Sequence, residues 1–279
     1  MNKLTHNNLI VMAGGMSSRM KQGNDINTIS SAHSKKIDSL PKCMIPVGKE
    51  KKPFLHYLLS NAHKAGYTEV LVIVNAIDTI IEPYCKSLSF PDTHISCYPQ
   101  KTPPGRTKPM GTADAVLQGL LSRPDWQGKK VTVCNADNLY SPQALQTVKN
   151  HEYPCGMIAF DNQALGLPEE RISGYGIVKK DEKGFVKDLI EKPSISEIHI
   201  HHNSYSGVNM NLYHFDYDLI LPFLQACPVN ETRNEKELTT AVKNMVLESP
   251  RSLYAISLSD LVLDLTFKTD ITVVNERIK

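Results

Sequence analysis

Short apolar runs alternate with amphipathic stretches through the first half of the chain, and the alternation predicts strands and helices in turn. Leu9 to Met12 is an unbroken apolar run that reads as a buried strand, and it breaks at Gly14-Gly15. Pro53 to Ala65 sets Phe54, Leu55, Leu58, Leu59, Ala62 and Ala65 at helical spacing, with Gly66 as the C-terminal stop. Glu69 to Asn75 (EVLVIVN) is continuous and β-branched, the pattern of a parallel strand buried on both faces. Strand, helix and strand within this length predict a βαβ unit. Asp78 to Ser87 reads as a second helix, His94 to Tyr98 as a strand, and an Ala/Leu helix follows Gly111-Thr112. Val131 to Cys134 is a further strand.

The second half changes character. Strand-like runs at Gly156–Phe160, Tyr175–Val178 and Phe185–Ile190 are separated by turns, with Asp181-Glu182-Lys183-Gly184 as a hairpin turn. Phe215 to Gln225 and Glu235 to Leu247 read as helices, and Ile271 to Lys279 as a closing one. Met20 to Leu40 is polar, Ser-rich and without period, which suits a disordered surface insertion, a flap over a ligand, or both. In His199–His202, strand alternation would put His199 and His201 on one face and His202 on the other. No Cys or carboxylate cluster accompanies them, so an exposed polar segment is favoured over a zinc site.

Composition narrows the class without naming an activity. Apolar residues make up 41% of the 279 and charged ones 22%, enough for a sizeable globular core. Lys and Arg number 31 against 29 Asp and Glu, so the net charge of +2 gives no field that would favour nucleic acid or a membrane surface. The six cysteines are scattered with no C-x-x-C, which fits reduced thiols better than disulfides or zinc. The polar N-terminus and the absence of any run of about 18 apolar residues argue against a leader or a membrane span. A cytoplasmic enzyme is the expectation.

The candidate chemistry lies first in Leu9 to Lys42. Gly14 and Gly15 directly after a buried strand let the backbone turn tightly and bring its N–H groups to a ligand. Ser17 and Ser18 add hydroxyls, Arg19 a fork of donors suited to phosphate oxygens, and Lys42 after Pro41 a point charge. Neither G-x-G-x-x-G nor a Walker A loop is present. The combination suggests a polyphosphate site, although a Gly-Gly turn alone is equally an ordinary strand-to-helix connection. Gly111-Thr112 heads a helix, where amides and the macrodipole favour a polar or anionic group, unless Thr112 is simply the N-cap. Asp137 lies just past the carboxyl end of a strand, where ligands of open α/β sheets bind. As a lone residue it is equally a cap or an Asx turn.

Through AGG-x-S-S-R-M followed by Pro41-Lys42, the chain resembles the sugar-1-phosphate nucleotidyltransferases, also called nucleoside-diphosphate-sugar pyrophosphorylases. The resemblance continues through Met110-Gly111-Thr112-Ala113, Gly174-Tyr175-Gly176, Glu191-Lys192-Pro193, and Val208-Asn209 followed by a hydrophobic-aromatic run. It implies an α/β fold of nucleotide-diphospho-sugar transferase type: a Rossmann-like, mostly parallel mixed sheet flanked by helices, with a smaller β-rich sugar-binding lobe. Residues 1–155 would bind nucleotide and 156–279 sugar phosphate, within one domain. It implies Arg19 and Lys42 as catalytic, and Ala13, Gly14, Gly15, Gln100, Gly111 and Thr112 at the nucleotide. It implies Gly176, Glu191, Lys192 and Asn209 at the sugar phosphate, and Asp137 and Asp264 as ligands of Mg²⁺. Three departures stand out: Ser18 replaces the usual Thr, Met210-Asn211 replaces Thr-Gly, and Asp264 lacks the family's neighbouring Trp and Gly, with Val262 and Thr266 there.

The implied reaction joins a nucleoside triphosphate and a sugar 1-phosphate into an NDP-sugar with release of pyrophosphate, without a general base and with no nucleic acid or membrane as partner. Three alternatives share parts of the pattern. A cytidylyltransferase for a phosphorylated alcohol such as phosphocholine would not need the second-half series. A molybdopterin nucleotidyltransferase is shorter, and a non-catalytic relative binding a nucleotide-sugar would not need the four charged residues. No hexapeptide repeat marks an attached β-helix. The sequence leaves open the base, the sugar, the pathway and whether the chain forms a homo-oligomer.

Overall fold

The first apolar run is a strand at the middle of a nine-stranded sheet. The computed structural model describes residues 7–15, 40–200 and 206–278, with Glu169, His199 and Ile200 described by backbone alone. The strands in chain order begin with β1 (Asn8–Met12), the small hairpin β2 (Pro46–Val47) and β3 (Lys52–Pro53), then β4 (Glu69–Asn75) and β5 (His94–Gln100). Next come β6 (Lys130–Asn135), β7 (Asn138–Leu139), β8 (Gly156–Phe160), β9 (Gly176–Lys180) and β10 (Val186–Glu191). The last are β11 (Ser206–Asp216), β12 (Tyr254–Leu258) and β13 (Leu263–Asp264).

Strand β1 runs parallel to β4 on one side and β6 on the other, and β5 lies parallel beyond β4. The order across the sheet is β10-β9-β11-β6-β1-β4-β5, with β8 joined through β11 and β12 through β8. Strand β11 is antiparallel to β6, β8 and β9, so the sheet is mixed and continuous across residues 155 and 156. Leu9, Ile10 and Val11 are all fully buried, yet Leu9 and Val11 join one apolar layer and Ile10 the other. Alternation of side chains across a strand covered on both faces produces that division.

The helices start and stop where local chemistry allows, which corrects several expected bounds. Phe54–Lys64 is closed by Gly66 at φ +78, the left-handed position glycine tolerates without penalty. The next helix is Ile81–Ser87, because the Asp78 carboxylate takes the N–H groups of Ile80, Ile81 and Glu82 and caps it from outside. Phe215 pairs with Val131 in the sheet, and the helix there is Tyr217–Gln225, capped by Asp216. Leu238–Glu248 starts three residues later than its apolar pattern suggests, because an Asn230–Glu235 bridge holds the preceding loop. Ile195–Ile200 is helical, so His199 does not follow strand alternation, and His201 and His202 lie outside the described residues. The Asp181–Gly184 turn forms as expected, with Gly184 at φ +90 and the Asp181 carboxylate accepting from Lys183 and Phe185. All six cysteines are free thiols, and among the described residues no helix is long and apolar enough to cross a membrane.

Candidate active site

Strands β1, β5 and β6 end at one place, and a cavity of about 440 Å³ opens there, on the side where ligands bind in open α/β sheets. Ala13, Gly14, Gly15, Lys42, Gln100, Gly111 and Thr112 all line it. Arg19 and nearly all of the Met20–Leu40 insertion lie outside the described residues. Gly14 permits a close approach: a Cβ there would stand 3.3 Å from Gln100 Oε1. Gln100 is buried, and its Nε2 donates to Gly111 O at 3.0 Å and to Asp114 Oδ2 at 2.8 Å. Both partners are acceptors only, so the amide is turned with Oε1 toward Gly14. Asp114 also accepts from Gln118 Nε2 at 2.8 Å, which fixes its own carboxylate. Asp114 had no motif to reveal it.

Gly111, not Thr112, is the N-cap of helix Thr112–Leu121. Its φ of +105 and the 2.6 Å that would separate an added Cβ from Lys236 O leave room for glycine alone. Thr112 Oγ1 instead accepts the N–H of Leu238 at 2.9 Å, and the Ala113 N–H is given to Lys236 O at 2.9 Å. An amide that the sequence reading left for a ligand is therefore used by the chain itself. The same loop, 228–237, is tied to the Pro-rich segment: Arg106 donates to Asn234, and Lys108 Nζ to Arg233 O at 2.9 Å and to Glu235 Oε1 at 3.0 Å. Arg233 and Glu235 thereby reach the cavity wall from across the chain.

A second cavity, of about 230 Å³, adjoins the first and shares Met12, Thr112, Asn135, Asp137, Arg233 and Glu235 with it. Gly176, Glu191, Lys192, Asn209 and Asp264 line it. Glu191 pairs with Gly176 across β10 and β9, and Gly176 pairs with Asn209 across β9 and β11. The three form one row on one face, and the glycine in the centre leaves a groove between carboxylate and amide. Asn209 Nδ2 donates to the Tyr213 hydroxyl at 2.6 Å, and its Oδ1 accepts the Asn211 N–H at 2.9 Å. The register of β11 against β8 shifts between Asn209 and Tyr213, and Asn211 sits inside that irregularity at φ +57. Such a conformation explains the departure from the family's glycine, because asparagine is among the few residues that visit it readily.

The ribbon of β7 and β13 brings the two carboxylates together. Asp264 pairs with Asn138, and the Leu265 N–H donates to Asp137 O at 3.0 Å. Lys42 Nζ stands 3.6 Å from Asp137 Oδ2, with the carboxylate a third exposed toward both cavities. Asp264 is buried; its Oδ1 accepts from Asn138 Nδ2 at 2.9 Å and its Oδ2 from Arg171 Nη2 at 3.2 Å. Burial, and after it the neighbouring Asp137 charge, pushes the Asp264 carboxyl up to about 6. The Tyr175 hydroxyl is buried against Arg171 and Asp264 without a hydrogen bond of ordinary geometry.

Hard carboxylate oxygens suit Mg²⁺, which commonly takes one or two of them and completes its shell with phosphate oxygens and water. The donor set fits that pattern: among the described residues no group of three or more His, Cys, Asp or Glu forms a closed cage, whereas Asp137 and Asp264 face a common cavity.

Comparison with known proteins agrees with this architecture. A model of the nucleotidyl transferase family matches residues 9–261. Glucose-1-phosphate adenylyltransferase 2 of Vibrio parahaemolyticus is 25% identical over 218 residues, 76% of this chain and 50% of that protein. Glucose-1-phosphate adenylyltransferase of Corynebacterium kroppenstedtii is 26% identical over 157 residues, 55% of this chain and 38% of its own length. The chain thus spans half or less of these curated relatives. A crystal structure of UDP-glucose pyrophosphorylase with UDP-glucose has the same fold, with a TM-score of 0.70 at 18% identity over 96% of this chain and 97% of that one. Over residues 9–261 the chain belongs to the nucleotidyl transferase family, as its resemblance to the sugar-1-phosphate nucleotidyltransferases implied.

Proposed function

We propose that this chain transfers a nucleotidyl group from a nucleoside triphosphate to a sugar 1-phosphate, releasing pyrophosphate. The observation that carries this reading is the meeting of two cavities at Asp137, so that a triphosphate in one and a sugar phosphate in the other would face each other. The relatives named for glucose 1-phosphate and UDP-glucose support the sugar class. In the step itself, a sugar-phosphate oxygen attacks the α-phosphorus while the bond to the β-phosphate breaks, and pyrophosphate leaves with the electron pair. The nucleophile is an anion at neutral pH, so no side chain has to take a proton. Repulsion between the two polyanions is the barrier, and fixed cations reduce it.

Lys42, beside Asp137, serves the α-phosphate, and Arg19 the β- and γ-phosphates. Lys192 and Arg233 serve the sugar phosphate; the second of these carried no motif and was found only from its place on both cavity walls. Glu191 and Asn209 hold sugar hydroxyls on either side of Gly176. Gln100, with Gly14, Gly15 and Gly111, forms the wall for the base. Asp137 and Asp264 would hold Mg²⁺, which when bound supplies charge neutralisation of the triphosphate. Residues 1–155 carry the nucleotide side and 156–279 the sugar side, with Arg233 and Glu235 reaching back. A reducing, cytoplasmic setting goes with the six free thiols.

The test is pyrophosphate release from a panel of nucleoside triphosphates and sugar 1-phosphates with Mg²⁺, with phosphocholine in the same panel. The expected result is pyrophosphate only when both substrates are present. Release from phosphocholine alone among the acceptors, or from the triphosphate without an acceptor, overturns the reading.

A further inference from the structure

Arg171 has no counterpart in any motif singled out from the sequence, yet it touches the buried carboxylate of the site. It lies on the short helix Glu169–Ile172, just before Gly174-Tyr175-Gly176. Its Nη1 is 2.7 Å from Asp270 Oδ1, and its Nη2 is 3.3 Å from Asp270 Oδ2 and 3.2 Å from Asp264 Oδ2. The guanidinium carbon stacks over Phe267 at 5.0 Å. One cation therefore spans two carboxylates. Asp270 is also a structural acceptor, taking the N–H groups of Thr266 at 2.9 Å and Phe267 at 2.7 Å. Asp264 has Oδ1 fixed by Asn138, so Oδ2 is the oxygen that Arg171 occupies.

We propose that Arg171 is a positioning residue that competes with the divalent cation for Asp264, and so sets the affinity of the Asp137–Asp264 pair for that cation. The proposal rests on the reading of those two carboxylates as cation ligands. A guanidinium and a divalent ion on one carboxylate repel each other, so occupancy by one opposes the other. Asp270 gives Arg171 a second anchor, onto which the guanidinium can withdraw without losing its charge partner. Asp264, which has Val262 and Thr266 where the family has Trp and Gly, is held in an ion pair with Arg171.

Mn²⁺ titrated into the free protein at pH 8, followed by loss of the free-ion electron paramagnetic resonance signal, reads the competition without any turnover. Arg171→Gln is expected to lower the Kd for Mn²⁺ at least tenfold, and Arg171→Lys, which can keep a single contact, to lower it less. Asp270→Asn should act in the opposite direction and raise the Kd, because Arg171 is then left to Asp264 alone. In an Asp264→Asn background, Arg171→Gln should change nothing. An Arg171→Gln or Arg171→Lys protein with unchanged or weaker Mn²⁺ binding overturns the competition while leaving the cation site standing. Absent binding in wild type and variants alike overturns both this proposal and the ligand assignment beneath it.

Discussion

Asn211 illustrates how a single backbone angle decides a residue type. At φ +57 inside the irregular stretch of β11, a branched side chain would meet its own carbonyl, and the left-handed conformation would cost roughly 1–2 kcal/mol. Asn211→Gly should therefore leave the melting midpoint in denaturant nearly unchanged, whereas Asn211→Val should lower stability by about that amount or more. Equal midpoints for the two variants would contradict the assignment. His214 carries a different kind of constraint. It is buried on β11 with Nε2 2.9 Å from Tyr153 O, and burial pushes its imidazole down to about 4. The unfolded chain takes up this proton near pH 6.5 and the folded one only near 4, so stability falls as the pH drops through that window. The loss reaches roughly 3 kcal/mol at its lower end. Urea titrations at pH 7 and 4.5 should show a larger drop in wild type than in His214→Phe, by about 2 kcal/mol.

At the scale of elements, the sequence showed most of what is local and little of what is not. Strands β1, β4 and β8 were legible because continuous apolar runs leave no other place for them than a sheet covered on both faces. The row Glu191, Gly176 and Asn209 was anticipated from motifs, but its register across three strands is a tertiary fact that no spacing encodes. Asp114, Arg171 and Arg233 stayed hidden for the same reason, since each acts through partners far along the chain or through no motif at all. For Thr112 the sequence left open a nucleotide contact or an N-cap; the cap is Gly111, and the first N–H of a second helix claims the Thr112 hydroxyl. Gly111 packs directly against the Glu235–Lys236 backbone just before that second helix, the point of closest contact between the two loops. Gly111→Ala should strain the backbone and collide with Lys236 O, lowering stability by about 1–3 kcal/mol. It should also raise KM for the triphosphate more than KM for the sugar phosphate. A variant with unaltered KM values and unaltered stability would show that the loop contact is dispensable.

For the molecule as a whole, the continuous sheet argues for one cooperative unit. Strand β11 pairs with β6 from the first half and with β8 and β9 from the second, so neither half can lose its strands without exposing the other's backbone groups. Thermal unfolding should give a single transition with coincident fluorescence and circular dichroism. Saturating triphosphate or sugar phosphate should each raise that one midpoint, because either ligand stabilises the shared native state. Two resolved transitions, only one of which responds to nucleotide, would mean that the halves unfold separately.

The two-residue ribbon of β7 and β13 also has a meaning for the order in which the site is completed during synthesis. Every strand of the nine-stranded sheet has left the ribosome once Leu258 has emerged, but Asp264 has not. Asp137 is made 127 residues earlier than Asp264 and waits for it while that stretch is translated. A nascent chain can thus close its sheet and both halves of its core while the carboxylate pair is still a single carboxylate. Under the proposed function the second carboxylate arrives only with residue 264, on a two-residue strand that pairs with β7 and adds nothing to the main sheet.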